Sequence, residues 1–566
     1  MLDRSQSEGA ATYHADTQRM DRLAAVFPTI FFLVAALVSL TTMTRTVEDD
    51  RQQIGTYKAL GYGTARIAQK YLIYAGLAAG VGAVAGILLL SQVLPAIVTY
   101  AYSIIYVVPL LRFPIPIDVP KALLAALIGV GVTLGATWAA VVSTLRETPA
   151  ALMLPRAPKP GRRILLERVR PLWARLSFSW KVTFRNLFRY KRRLVMTVVG
   201  IGGCTALLLV GFGLHDSIWD IIDGQFGPIV HYNATVGMDE GADELDVADT
   251  CDYLASQEGT TTLVRVHEGM GQAEGPGGTD EGKTRVTVVV PREADELSQA
   301  VTLRERVGKA PVAFDDDAVV VTEKLAGLQD VTVGDTLTVY DQDDVGNPTG
   351  PGHALTVTGV AENYVGNYVY VGRSAWARAG GEQSPAFSTL LVSLTNDPEA
   401  RSAIADDLHG RDHVSTVVFT DETIEMYRNA LSSVNLVVVV LTVSAAALAL
   451  IVLYNLTSIN VAERVREIAS LKVLGFTRRE VHAYVFREVA LLAVLGDILG
   501  MLLGVWLEHF VVVTAEVDYV MFGREIHPAS FAVSFALTLV FTALALLSMR
   551  GKLDRVDMVE SLKSVD

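Results

Sequence analysis

Residues 277–284, GGTDEGKT, have the GxxxxGK[ST] spacing of a phosphate-binding P-loop. A P-loop needs a strand before its glycines and a helix after them, because the helix N-terminus supplies the amides that hold the phosphates. Here RVTVVV follows and predicts a strand, and the carboxylates of Asp280 and Glu281 would repel a phosphate. We interpret the segment as a hairpin loop and expect this chain to hydrolyse no nucleotide.

Other patterns that could carry catalysis or bind a metal are weak. The ten histidines form no HExxH motif and no metal-ligand spacing with the two cysteines. Cys204 falls in an apolar stretch and Cys251 in a polar one, so a disulfide between them is not expected. The sequence therefore predicts no catalytic residue, no metal site, no cofactor and no enzyme activity.

Asp497 is the polar residue whose position is hardest to set aside. It lies near the middle of the apolar stretch 485–513. A carboxylate at membrane depth is a candidate functional site, because placing it there is costly. A hydrogen bond to a neighbouring helix would also explain it, and both interpretations remain open.

The elements that must position these residues are apolar blocks long enough to cross a bilayer. The chain has 566 residues, 51% of them hydrophobic and 19% charged, whereas soluble domains carry about 25% charged residues. A membrane helix needs about 20 apolar residues. Seven blocks meet this requirement: 24–44, 71–98, 121–144, 194–214, 433–456, 485–513 and 529–549. We predict an α-helical membrane protein of about seven spans, in contact with membrane lipid.

Charge gives the expected orientation. The linker 146–193 has 14 basic and 2 acidic residues, whereas 215–430 has 38 acidic and 13 basic ones. Short basic loops stay in the cytoplasm, so we expect the linker to be inside, together with loops 45–70 and 457–484. The acidic segment is then outside. An interfacial amphipathic helix over 176–193 explains the basic residues better than nucleic-acid binding does.

Residues 215–430 predict a mixed α+β domain on the extracytoplasmic side. Apolar runs bounded by turn residues predict five strands, at 284–291, 317–325, 334–341, 354–362 and 388–395. Helical patterns cover 246–257, 398–410 and 420–434, and the last continues into the fifth span.

An internal repeat relates the two ends of the chain. DRQQIGTYKALGYGTARI (50–67) aligns with RVREIASLKVLGFTRREV (464–481), which places Lys58 over Lys472 and Gly61 over Gly475. In each copy a charged helix ends at a glycine, the residue that favours a left-handed C-cap. Such a short protruding helix would suit docking of a soluble partner, although a simple connection between spans would give the same pattern.

The same alignment continues into the following spans. Gly82 aligns with Gly496 and Gly86 with Gly500, whereas Asp497 aligns with Ala83. Small residues at four-residue spacing allow helices to approach closely within a bilayer. We therefore predict a structural role for these glycines, and no proton relay shared by both copies.

Several segments together resemble the permease domain of FtsX/MacB-type ABC transporters. They are REIASLKVLGF (466–476), VDMVESLK (556–563), ETPAALMLP (147–155), ENYVGNYVYVGRSAW (362–376) and KVTFRNLFRYKRRLVMTVVGIGGCTALLLVGFG (181–213). The resemblance covers nearly the whole chain and implies two FtsX-like modules. The spans and the α+β extracytoplasmic domain predicted above fit this arrangement.

The resemblance also implies a function and partners. The chain would be a permease subunit in a bacterial cell membrane, and a separate cytoplasmic ATPase would drive movement of its outer domain. Export, lipoprotein or peptide handling, and mechanical transmission are all compatible outputs. The residues expected to contact the ATPase are Lys58, Gly61, Arg466, Glu467, Lys472 and Gly475.

The sequence departs from the family pattern in its first module. That module lacks an opening span and an outer domain, which implies a second permease chain or a missing N-terminal half. Its docking helix has Gln52 and Gln53 where the second copy has Arg466 and Glu467. The alternative functions are a receptor-like membrane protein and an ion-coupled secondary transporter. Asp497 is the one residue that favours the transporter.

These inferences define an expected domain layout. An extracytoplasmic remnant precedes the first module, a basic linker joins the modules, and the acidic domain is inserted after the opening span of the second. The predicted boundaries are 1–20, 21–145, 146–193, 194–214, 215–430 and 431–566.

Overall fold

The computed structural model separates the chain into two compact units. It describes residues 28, 31–102, 114–153, 167, 170–175, 177–189, 191–239, 241–276, 282–343, 346–381, 385–462, 465–516 and 518–554. The helical unit comprises Met1–His215, Val434–Ala515 and Ile526–Asp566, and the sheet unit comprises Asp216–Ser433 and Glu516–Glu525.

Seven described helices are long and apolar enough to span a membrane. They are α1 (Phe31–Asp49), α3 (Thr64–Tyr102), α4 (Val119–Leu145), α8 (Lys191–Gln225), α14 (Thr420–Ala462), α16 (Arg478–Ala515) and α17 (Pro528–Asp554). The predicted number of spans is confirmed. Several helices extend beyond the predicted apolar blocks, because polar residues at their ends continue the same backbone hydrogen bonding.

Shorter helices connect these spans. They are α2 (Arg51–Ala59), α5 (Pro149–Met153), α6 (Arg170–Arg175), α7 (Phe178–Arg189) and α15 (Val465–Val473). Helix α7 lies within the segment predicted as an interfacial helix, and the rings of Trp180 and Phe184 are 6.0 Å apart on it.

The helical unit is packed around α8. Leu208 of α8 is fully buried with Ala449 of α14 and Ala493 of α16, and Val34 of α1 joins the same cluster. In a bilayer, helices associate through close packing and not through the hydrophobic effect, because lipid is as apolar as the side chains. The central position of α8 is therefore the main feature of this unit.

The sheet unit contains one sheet of ten strands among the described residues. The strands are β1 (Ala234–Met238), β2 (Thr262–Glu274), β3 (Thr284–Pro291), β4 (Val319–Thr322), β5 (Thr336–Gln342), β6 (Pro348–Thr356), β7 (Gly359–Ala361), β8 (Tyr368–Val371), β9 (Thr389–Ser393) and β10 (Val414–Phe419). Their order is β10-β1-β9-β2-β3-β8-β4-β7, and β5 pairs with both β2 and β6.

Helices cover this sheet, as expected for an α+β domain. They are α9 (Glu244–Ser256), α10 (Leu297–Ala300), α11 (Glu323–Leu328), α12 (Arg373–Arg378) and α13 (Pro398–His409). Two apolar clusters form its core, one around Val288 and Trp376 and the other around Val236 and Leu254.

Two of the predicted strands need correction. The segment predicted as a strand over 317–325 is β4 followed by α11, because the chain turns at Thr322 and begins a helix at Glu323. The strand predicted over 354–362 is the end of β6 and then β7. Strands β1, β2, β8 and β10 were not predicted, since their apolar residues are interrupted by glycine, histidine, tyrosine or, in β10, by Ser415 and Thr416.

Candidate coupling helices and an intramembrane polar cluster

The turn after α2 has the geometry that the glycine predicted. Gly61 has φ +87°, in the left-handed region. Its N–H donates to the carbonyl of Lys58 at 3.1 Å, and the N–H of Tyr62 donates to the carbonyl of Tyr57 at 3.0 Å. This pair of bonds is a Schellman motif, which ends a helix and reverses the chain tightly.

The turn after α15 repeats this geometry. Gly475 has φ +88°. Its N–H donates to the carbonyl of Lys472 at 3.1 Å, and the N–H of Phe476 donates to the carbonyl of Leu471 at 3.1 Å. Two segments far apart in the chain therefore fold into the same helix–turn–helix.

The apolar anchors of α2 and α15, the two helices expected to dock a partner, also correspond. Ile54 and Ile67 are buried in a cluster of the first module, and their repeat partners Ile468 and Val481 are buried in a cluster of the second. The side chains of Arg466 and Glu467 lie outside the described part of the structure.

The two predicted lysines make internal hydrogen bonds. The Lys58 ammonium donates to the carbonyls of Leu145 and Glu147 at 2.8 and 2.7 Å, and so caps the C-terminus of α4. The Lys472 ammonium donates to the carbonyl of Asp554, the last residue of α17, at 3.2 Å. Cations stabilise helix C-termini. Each lysine thus fastens a docking helix to the end of the last span of its own module.

Apolar side chains at the two turns are exposed. Leu60 is 70% exposed and Tyr62 51%, and their repeat partners Leu474 and Phe476 are 75% and 46% exposed. We call these four residues the apolar tips. They were not among the contact residues predicted from the sequence, although the alignment that paired the glycines also pairs Leu60 with Leu474 and Tyr62 with Phe476.

Asp497 lies in a buried polar cluster between three spans. Its Oδ1 accepts a hydrogen bond from the Thr205 hydroxyl at 2.6 Å, and that hydroxyl lies 3.2 Å from the Thr538 hydroxyl. Asp497 and Thr538 are fully buried. The Oδ2 atom of Asp497 and the Ser534 hydroxyl have no described hydrogen-bond partner. The cluster connects α8, α16 and α17.

The aligned glycines differ in what covers them. A Cβ at Gly496 would lie 2.6 Å from the Ile201 side chain, and one at Gly500 would lie 2.5 Å from the carbonyl oxygen of Gly202, so α8 packs directly on α16 there. At Gly82 and Gly86 of α3, a Cβ would meet no described atom within 4 Å. The first module thus has the small residues, but no described helix packs on them as α8 packs on Gly496 and Gly500.

Residues 516–525, which connect α16 to α17, belong to the sheet unit. The Glu516 carboxylate accepts hydrogen bonds from Lys324 at 2.8 Å and from Arg524 at 3.1 Å, and its side chain is 1% exposed. Backbone bonds join the segment to the loop before β8: Gly366 N–H donates to the Tyr519 carbonyl at 2.8 Å. This connection is an integral part of the sheet unit.

No metal-binding cluster occurs among the described residues. Residues 277–281 of the P-loop-like segment lie outside the described chain. The ammonium of Lys283 lies 3.4 Å from the centre of the Tyr340 ring and 3.7 Å from the Glu274 carboxylate. At Thr284 a strand begins, not a helix. The geometry after the motif is therefore unlike a P-loop.

The described residues define a multi-pass α-helical membrane protein with one α+β domain. Residues 25–149 and 439–553 match, as two segments, the family described as FtsX-like permease C-terminal. The two segments coincide with the two copies of the internal repeat.

Solved structures similar to the chain are isolated domains of ABC-type transporters. One is the extracellular domain of the noncanonic ABC-type transporter YknZ from Gram-positive bacteria (14% identity, 33% of this chain, 99% of that chain, TM-score 0.22). Another is the periplasmic region of MacB from Actinobacillus actinomycetemcomitans (14% identity, 38% of this chain, 98% of that chain, TM-score 0.23). No curated protein sequence matches the chain.

Proposed function

We propose that the chain is the permease subunit of an ABC transporter in a bacterial cell membrane. In this proposal a separate cytoplasmic ATPase binds the two docking helices, and its ATP hydrolysis moves the sheet unit on the extracytoplasmic side. The observation that carries the proposal is the duplicated docking helix, in which the same glycine turn, lysine anchor and exposed apolar tip occur twice.

The apolar tips supply the binding surface. Exposed aromatic side chains such as Tyr62 and Phe476 are enriched in protein interfaces, and the exposed leucines beside them add apolar area. Leu474 and Phe476 flank Gly475, so both are held at a turn with few conformations available to it. In this proposal Gly61 and Gly475 therefore contribute to the contact by fixing the shape of the turn, and the apolar tips touch the partner.

The lysine anchors supply the transmission. Lys58 and Lys472 use their ammonium groups on carbonyls of the same chain, so we assign them a positioning role and not a direct contact with the ATPase. A displacement of each tip would pass through its lysine to the end of α4 or α17. This interpretation keeps both lysines in the coupling mechanism but changes what they do.

Chain connectivity supports movement of the sheet unit. Helices α8 and α14 each contain residues of both units without a break, and the α16–α17 connection belongs to the sheet unit. Four of the seven spans thus lead directly into the sheet unit. A shift of these spans would reach it through backbone, with no need for a soluble linker.

We further propose that a transmembrane helix of a second permease chain covers Gly82 and Gly86, as α8 covers Gly496 and Gly500. The aligned positions already show this packing once. Cysteines at Gly82 and at candidate positions of the partner should form disulfides on oxidation, while cysteine at Gly131, on α4, should not. Labelling of Gly82→Cys by lipid-phase reagents alone would assign that face to lipid.

Affinity purification of the chain from its native membrane in mild detergent, followed by mass spectrometry, tests the main proposal. A Walker-type ATPase should co-purify with the wild type. It should be lost from Leu474→Ser/Phe476→Ser and reduced in Glu467→Lys/Lys472→Glu. Leu245→Ser is the matched control, since Leu245 is 77% exposed in the sheet unit, and should retain the ATPase.

Absence of an ATPase from folded wild-type protein would contradict the proposal and favour a receptor-like protein. An ion-coupled transporter is the second candidate, and the buried Asp497 carboxylate with its unpartnered Oδ2 favours it. In that case an ion gradient should drive activity in vesicles without ATP, and Asp497→Asn should abolish it.

A further inference from the structure

One face of the sheet carries a row of polar and aromatic residues. In the β2–β3 pair Glu268 lies opposite Val289, and in the β3–β8 pair Val289 lies opposite Tyr370. Two positions along, Thr287 lies opposite Tyr368 in the same way. Residues paired across strands point to the same face, so Glu268, Tyr368 and Tyr370 share one.

The other face of these strands is the apolar core. Val288 of β3, together with Val369 and Val371 of β8, belongs to the buried cluster of the sheet unit. Side chains alternate between faces along a strand. Glu268 and the two tyrosines therefore point to the opposite face of the sheet, away from this apolar cluster.

Two further tyrosines join this face from outside the three strands. The Tyr368 and Tyr370 rings are stacked, with centres 5.7 Å apart and planes at 14°. Burial raises the pKa of Tyr368, and the nearby side chains of Tyr232, which precedes β1, of Glu268 and of Tyr427 on α14 raise it further. We call Tyr232, Glu268, Tyr368, Tyr370 and Tyr427 the tyrosine cluster.

The polar atoms of the tyrosine cluster have no described partners. Among the described residues, the Glu268 carboxylate makes no ion pair and the four phenol groups donate no hydrogen bond. Tyrosine hydroxyls in crowded surroundings usually find a partner. Glu268 remains accessible to solvent, yet burial raises its pKa. Glu268 is therefore open to a ligand from solvent.

We propose that the tyrosine cluster binds an organic ammonium cation. The Glu268 carboxylate would neutralise the charge, and the stacked faces of Tyr368 and Tyr370 would attract it through their ring quadrupoles. A carboxylate that lacks a cationic partner attracts a positive ligand more than a neutral one of the same shape.

The charge of the sheet unit fits a cationic ligand. Residues 215–430 carry 38 acidic and 13 basic side chains. A field of one sign raises the local concentration of counter-ions and speeds their association. The proposal is independent of ATPase coupling, because every residue of the cluster belongs to the sheet unit.

The test is a binding titration of the full-length chain in detergent with choline and with 3,3-dimethylbutan-1-ol, which has the same shape without the charge. Choline should bind, and the alcohol should bind at least about tenfold more weakly, a difference of about 1.4 kcal/mol. Glu268→Gln and Tyr368→Leu should each weaken choline binding by about tenfold or more. Glu258→Gln, an exposed carboxylate of the same unit, should leave it unchanged.

Thermal unfolding of each variant shows whether its sheet unit is folded, and Tyr368→Leu carries the test if Glu268→Gln does not fold. Equal affinity for choline and the alcohol would overturn the proposal, as would choline binding that both variants retain. Wild-type protein that is folded but binds no choline up to about 10 mM, a concentration that detects millimolar affinities, would overturn it too.

Discussion

The Thr205 hydroxyl on α8 donates a 2.6 Å hydrogen bond to the Asp497 carboxylate on α16, and both side chains are completely buried. This bond lies at the helix contact where Gly500 packs on Gly202. Polar bonds between spans contribute modestly to stability, on average about 0.6 kcal/mol. Their geometric value is to fix how one helix is placed along the other.

We expect Thr205→Val and Asp497→Asn to show a coupling free energy of about 0.5–2 kcal/mol in a double-mutant cycle. Thr205→Val alone should destabilise more than Asp497→Asn alone, because it leaves the carboxylate with one hydrogen-bond donor fewer while the amide can still accept from Thr205. Unfolding in mixed micelles measures both. Strictly additive effects would show that the Thr205–Asp497 hydrogen bond contributes nothing to stability.

The assignment of anchors and tips predicts two separable defects. Lys472→Met should retain the ATPase during purification but reduce its stimulation, because the docking helix loses its bond to the end of α17. Leu474→Ser/Phe476→Ser should lose the ATPase itself. Co-purification and ATPase rate, measured on the same preparations, distinguish the two. Loss of the ATPase from Lys472→Met in a folded protein would instead indicate a direct contact.

Gly475→Asp should uncouple the ATPase from the permease. At φ +88° a side chain is strained by about 1 kcal/mol or more, although space is available, since a Cβ there would meet no described atom within 4 Å. The turn would therefore change conformation. Gly63→Ala is the matched control: Gly63 has the same open surroundings without a positive φ. Stimulation that survives in Gly475→Asp counts against the assignment.

Glu516→Gln should destabilise the sheet unit by about 3 kcal/mol, since it leaves Lys324 and Arg524 without their buried carboxylate. The neighbouring Glu525→Gln should change stability by less than about 0.5 kcal/mol, because Glu525 is exposed. Thermal unfolding monitored in the sheet unit provides the comparison. Similar melting of the two variants would argue that the segment 516–525 is held by its backbone alone.

Glu362 predicts a pH dependence of stability. Burial would raise its pKa, but hydrogen bonds from Lys309, Tyr364 and Arg304 outweigh burial and hold the pKa below the ordinary value of 4.5. A depressed pKa stabilises the folded state above the unfolded value, and this contribution is lost as the pH falls through the folded value.

Wild-type protein should therefore lose stability below about pH 4.5, and Glu362→Gln should be less stable near neutrality with a shallower acid dependence. The free energy of unfolding of the wild type and of the variant, measured at each pH between about 3 and 7, tests this expectation. Parallel curves would show that Glu362 does not carry the acid sensitivity.

The membrane part of the fold was predictable because a span has one dominant requirement, about 20 apolar residues. The repeat was predictable because Lys58, Gly61 and their partners keep one spacing. The sheet was harder. Strand β2, with Gly269 and Gly271 within it, does not alternate cleanly, and the apolar run before Thr322 fits a strand or a helix equally well.

The candidate site was predictable in place but not in detail. Charge on a short helix suggested that Lys58 and Lys472 face a partner chain. Their actual acceptors are carbonyls at the ends of α4 and α17, which only the tertiary structure brings near. Likewise, Asp497 was visible as an isolated carboxylate, whereas Thr205, far away in the chain, could not be recognised as its partner.

The sheet unit is built from two pieces of chain that the ribosome makes at different times. Residues 216–433 emerge first, and residues 516–525 follow only after α14, α15 and α16 have been synthesised. Until then Lys324 lacks Glu516, and the loop at Gly366 lacks the Tyr519 carbonyl. The sheet unit therefore cannot complete these bonds until α16 has been made, and a chain that stops before residue 516 leaves them unmade.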